Sequence, residues 1–228
     1  MTKRALLVPL GIVVAVILAV VTGGPIISSA LNPKQVDPFS VTAGASQVST
    51  TPRPTGADNG TWTVGSGSQA GYRVNEVLNG NAVAVVGRTD RVTGSATVAN
   101  GNLTAASIAV EAGTIATDNS GRDNYFRFTV ISAGKYPQAT FTLNSPVTLP
   151  EIGGTPVEVK VPGTLALAGA QRAVTADLQV LRDGDRIVAV GTIPIAVKDF
   201  GIDPPNLGFV KVEDHAQVEF RVNLTQSG

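Results

Sequence analysis

From residue 61 onward, apolar and polar side chains alternate with a period of two, the mark of strands with one buried face. The clearest run is Val157–Leu167. Val157, Val159, Val161, Leu165 and Leu167 share one side; Glu158, Lys160 and Thr164 share the other. Val174, Ala176, Leu178 and Val180 repeat this against Thr175, Asp177 and Gln179, and Val218, Phe220, Val222 and Leu224 against Gln217, Glu219, Arg221 and Asn223. Further strands are predicted at Trp62–Val64, Gln69–Leu78, Ala82–Val86, Arg91–Ala99, Leu103–Ala112, Ala139–Leu149 and Arg186–Val197. Asn79-Gly80, Asn100-Gly101 and Asp183-Gly184 punctuate them; such pairs accept positive φ and make tight hairpin turns. Short strands at this spacing indicate an antiparallel sandwich or barrel. About eight strands suit a closed barrel with one wet face.

One stretch, residues 121–141, interrupts the strands. Asp118-Asn119-Ser120-Gly121 is a cluster that caps a helix or makes a turn. Arg122 and Asp123 follow, then Tyr125, Phe126, Phe128, Val130 and Ile131, with Gly134 and Pro137 as stops. This reads as a compact helical plug or lid joining two halves of the β domain.

An eight-stranded barrel either fills with side chains or holds one small ligand. Its inward residues here are mainly Val, Ala, Leu and Ile, and aromatics make up only 5% of the chain, which favours a cavity over a packed core. The residues expected to line it are Tyr72, Val74, Phe141, Leu165, Ala176 and Leu178, with Val218 and Phe220 from the last strand. Phe126 and Phe128 come from the plug, and Phe200 covers one end. Arg122 and Asp123 are candidates for an ion pair at the mouth; the alternative is a helix start with Asp123 at the positive end of the dipole. Arg88 and Arg91 suit a phosphate head group, or else a solvated turn.

The N-terminus is of a different kind. Residues 1–4 carry Lys3 and Arg4; residues 5–27 are uncharged and apolar. That run suits a spanning helix of about 17–25 residues better than a signal peptide's apolar region of about 7–15. The preceding basic residues predict a single-pass membrane anchor with the remainder extracytoplasmic. Cleavage near Ser28-Ser29-Ala30, giving a secreted or periplasmic protein, is the alternative. Residues 28–60, rich in Pro, Ser, Thr and Gly without periodicity, read as a flexible linker. Residues 61–228 are the barrel domain.

Seventeen basic and seventeen acidic side chains give zero formal net charge, which argues against a nucleic-acid partner. The chain has no cysteine, which excludes thiol nucleophiles and thiolate metal sites, and its one histidine, His215, sits beside Glu213 and Asp214 without metal-ligand spacing. No nucleophile–base pair, phosphate loop or paired catalytic carboxylates can be assigned. The sequence therefore reads as a binding module rather than an enzyme, with no catalytic residue, cofactor or metal assigned.

Arg122-Asp123, Tyr136-Pro137, Ala139-Thr140-Phe141, Gly163-Thr164-Leu165, Gly169 and Arg172-Ala173-Val174 come in order along the chain. Asp199-Phe200-Gly201-Ile202 and the Val218–Leu224 strand complete the set. Together they resemble the YceI-like family of polyisoprenoid-binding proteins, from about Trp62 to Leu224. The resemblance implies an all-β, eight-stranded, lipocalin-like barrel with a helix beside it. It implies a polyisoprenoid or similar long-chain lipid in the apolar interior, for transport or storage. Family members are typically free periplasmic proteins, so the apolar N-terminus makes this chain a membrane-tethered variant. A ligand-free structural or stress-response envelope domain with a packed interior is the alternative from another class.

Overall fold

The structure, a computed structural model, describes residues 35–41, 58–78, 80–206 and 210–227. Gln35–Gly228 forms one compact unit. The anchor expected at residues 5–27 lies outside the described residues, among which no helix is long and apolar enough to cross a membrane.

Among the described residues eleven strands follow one another: β1 (Gly60–Val64), β2 (Gln69–Leu78), β3 (Asn81–Thr89), β4 (Val92–Ala99), β5 (Asn102–Glu111), β6 (Gln138–Leu143), β7 (Val147–Thr148), β8 (Val157–Leu167), β9 (Ala170–Asp183), β10 (Arg186–Ala196) and β11 (Val210–Gln226). Eight of them close an antiparallel barrel in the order β1-β4-β5-β6-β8-β9-β10-β11, and β11 returns to β1 through Trp62↔Gln226 and Val64↔Leu224. Closure removes the exposed edges that an open sheet would leave. The long β11 serves two partners: its last residues pair with β1, and Val210–Arg221 pair with β2, which carries β3 on its far side. β1 and β2 are thus one course along β11, interrupted at residues 65–68, where the Ser68 hydroxyl donates to the Gly65 carbonyl and the Asn223 amide donates to Ser68.

Alternation explains the placement. Along β9, Val174, Ala176, Leu178 and Val180 face inward while Thr175, Asp177 and Gln179 are exposed. The turn at Asn100-Gly101 has φ of 52° and 74°, the paired positive values that a two-residue hairpin needs. The strand expected over Ala139–Leu149 breaks in two, because Pro146 has no amide to continue a ladder.

The interrupting stretch is helical, as its capping cluster predicts. Helix α1 (Ser120–Tyr125) is capped by Asn119, whose side chain accepts from the Arg122 amide at 3.0 Å. It runs into a wider π-turn at Phe126–Val130. At the same end of the barrel, a 3₁₀ turn at Val197–Phe200 buries Val197 and Phe200. Within the stretch read as a linker, residues 35–41 lie along the outside of the barrel wall.

Candidate functional site

The inner wall is built from register. Tyr72, Val218 and Ile193 lie side by side across β2, β11 and β10, and so share a face with the core residue Ile193. By the same pairing Val74, Phe220, Leu178, Leu165 and Phe141 point inward. Leu165 and Ala176 are almost fully buried. Phe141, Leu178, Val218, Phe220 and Val74 face inward yet stay only half-buried. Phe200 packs with Val197 and Ile202 into the core cluster at one end.

Three inward glycines give this wall its shape. A Cβ on Gly87 would come within 2.7 Å of the Tyr72 ring, one on Gly163 would collide with Phe141, and one on Gly191 would come 3.0 Å from Phe220. The missing side chains leave the room that the Tyr72 and Phe141 rings, and at Gly191 the Leu178 side chain and the Phe220 ring, occupy.

At the helical end, Phe126 stacks on Tyr72 with centroids 4.7 Å apart. Phe128, expected among the interior residues, is 68% exposed. The π-turn sets it on the outer side of the segment, while Ile131 takes the buried position at 1%. Arg122 and Asp123, candidates for an ion pair or for a helix start, take separate partners, and Asp123 stands in the first turn of α1 as the second reading expects. Arg122 lies 3.5 Å from Glu76 and 3.0 Å from Asp118. Asp123 accepts from both the amide and the hydroxyl of Thr117. The cause is the helix itself: adjacent residues diverge by about 100° and do not meet.

Glu76, absent from the sequence reading, is the polar feature of the inner wall. It faces inward on β2 opposite Val83 and is 7% exposed. Burial pushes its carboxyl above the ordinary 4.5, with Arg122 pulling the other way and Asp118 adding to the rise. Burial also pushes the Tyr72 phenol far up, so it stays neutral. Because the folded pKa of Glu76 exceeds the unfolded one, its contribution to stability is fully present below 4.5 and is lost as pH rises through the folded value. Glu76→Gln, which mimics the protonated acid, should therefore gain on the wild type as pH rises from 4.5 to 7. Denaturant midpoints at the two pH values check this; a wild type that gains on the variant would mean that the Arg122 pair outweighs burial.

Arg88 and Arg91, read as head-group candidates, do not meet in one site. Arg88 is on the outer wall, 2.7 Å from Glu219, because its register partner Gly71 lies on the outward side of β2. Arg91 is an exposed turn residue 3.8 Å from Asp90. Among the described residues, no group of three or more His, Asp or Glu side chains is placed to hold a metal.

The family model described as the YceI-like domain matches residues 62–224. The chain belongs to the YceI-like family. Among solved structures, this YceI-like barrel is similar to a polyisoprenoid-binding domain from Saccharophagus degradans implicated in plant cell wall breakdown: TM-score 0.59 and 18% identity, over 74% of this chain and 99% of that one. It is also similar to BcnA from Burkholderia cenocepacia, at TM-score 0.53 and 19% identity, over 67% and 95% of the two chains. At such identities the likeness establishes the fold. No curated protein matches the sequence.

Proposed function

We propose that this YceI-like barrel binds one long apolar chain, of the polyisoprenoid class, within its lumen and carries or stores it at a membrane surface. The observation that carries the reading is the inner wall: Phe141, Leu178, Val218 and Phe220 face inward in a closed barrel and yet retain accessible surface. A filled interior packs side chains to crystal-like density and leaves little such surface. Gly87, Gly163 and Gly191 add no side chain to the inner wall beside Tyr72, Phe141 and Phe220. Family membership, and the fold shared with a domain that binds polyisoprenoid, point to the same ligand class.

The energetics suit exchange. Each buried methylene is worth about 0.8 kcal/mol against water, so a long isoprenoid counted that way exceeds any attainable affinity. Its true reference is a bilayer as apolar as the lumen, and transfer between them is nearly balanced. The apolar run at residues 5–27 would anchor the domain beside that bilayer. Tyr125 and Phe128, exposed on the helical segment at the mouth, would give the bilayer an aromatic contact.

Full-length protein stripped of lipid should take up a fluorescent isoprenoid in saturable fashion, and unlabelled polyprenol should compete. A straight-chain fatty acid that competes equally well would widen the ligand class. Non-saturable uptake would reject the lumen as a site.

A further inference from the structure

Residues 35–41 form a strap across the outer wall, with no ladder hydrogen bonds of their own. Phe39 and Val41 pack on Leu181, Val188 and Val190, an apolar patch on the outward faces of β9 and β10. Arginines from three strands hold the strap's carbonyls. Arg73 donates to Val36 at 2.9 Å, Arg88 to Asp37 at 2.6 Å and Arg221 to Ser40 at 3.4 Å. The Arg88 guanidinium also lies 3.7 Å from the Phe39 ring centroid, a cation–π contact. Beneath it Glu219, 2% exposed, takes Arg73 on one oxygen and Arg88 on the other. The strap lies outside the family match at residues 62–224.

The strap and the helical segment grip one element from opposite sides. β3 ends the sheet path; among the described residues its far edge is held by the reciprocal backbone bonds between Arg88 and Ala116. On the inner side of the same β2–β3 hairpin, Tyr72 and Glu76 meet Phe126 and Arg122. A two-stranded hairpin is marginally stable alone, so what holds it from outside determines how often it moves.

We propose that the outer wall formed by β2–β3, β9, β10 and β11 is a binding site for an extended peptide, filled in cis by this chain's own residues 35–41. We infer that the strap clamps the hairpin bordering the lumen mouth. With the strap released, the hairpin keeps β11, the helical segment and the Arg88–Ala116 bonds but loses its outer cover. It then swings more often, and an apolar ligand enters and leaves faster.

The test uses the full chain with Phe39→Ser and Val41→Ser together. Amide exchange in Gln69–Thr89 should rise by about tenfold or more, while Asn102–Glu111 (β5), across the barrel from β10, keeps its protection. Phe39→Leu, which keeps the packing and loses the ring beneath Arg88, should raise exchange less, in the same hairpin only. Isoprenoid uptake by the double variant should be several-fold faster. Unchanged hairpin exchange would overturn the proposal. So would an equal loss of protection on both walls, which would make the strap a general brace. Protection that falls on dilution would assign the groove to a second copy's strap and overturn the cis assignment. The uptake readout rests on the lipid reading, the exchange readout does not: a looser hairpin in a protein that binds no isoprenoid would refute the lipid reading and leave the clamp standing. Equal uptake rates in two proteins that both bind would refute gating.

Discussion

Glu219→Ala is expected to destabilise the barrel by about 3 kcal/mol, the lower end of the loss seen when one partner of a buried ion pair is removed. Glu219 is 2% exposed, and its two oxygens are the counterions for two arginines. Without it, Arg73 on β2 and Arg88 on β3 are left as neighbouring cations beside β11, with strap carbonyls to accept their donors. Their side chains are 17% and 21% exposed, so water reaches them in part, which places the estimate at the low end. Glu219→Gln keeps the shape and one acceptor and should lose about half as much. A denaturant midpoint at constant m-value measures both. A loss for alanine below about 1 kcal/mol would show that the triad is effectively solvated and the strap loosely seated.

The second large effect is expected at Gly163, where alanine should cost about 2–3 kcal/mol by overpacking. The added methyl would collide with the Phe141 ring and sit 2.7 Å from the Thr142 carbonyl oxygen. Phe141 packs on the interior cluster, so a displaced ring alters the lumen, and the carbonyl is fixed in the β6–β8 ladder. Gly163→Ala should therefore also reduce isoprenoid uptake. The collision is specific, so it should couple to its neighbour: in a Phe141→Leu background the same substitution should cost at least about 1 kcal/mol less. Additive costs would mean that the backbone, not the ring, excludes the methyl.

Those two residues separate what the sequence reveals from what it hides. The barrel was legible because alternation and Asn-Gly turns are local signals, and they place nearly every strand. Pro146 was visible too, but the apolar period across it masked the break between β6 and β7. Interior positions such as Leu165, Ala176 and Phe220 follow from parity once a strand is known. Phe128 does not, because it lies in a π-turn, where one extra residue shifts every later side chain around the axis.

Pairings distant in sequence were hidden. Arg122 meets Glu76, 46 residues earlier, and nothing local to either residue reveals the other. Glu219 reads as an outward, solvated acid, and only the fold brings two arginines to it. One clue to the strap was present. β10 reads Ile187-Val188-Ala189-Val190, apolar on both faces, and a strand of that kind is covered on both sides. The cover is Phe39 and Val41, from a Pro-rich stretch whose composition reads as linker.

The central claim is that the barrel interior is a ligand space. It is tested most directly by mass spectrometry of an organic extract of the full-length protein, purified from membranes without added lipid. The account predicts an isoprenoid lipid at about one per barrel, carried through purification and diminished in Gly163→Ala. A wild-type extract with no bound lipid, from a protein that takes up none when offered polyprenol, would contradict it.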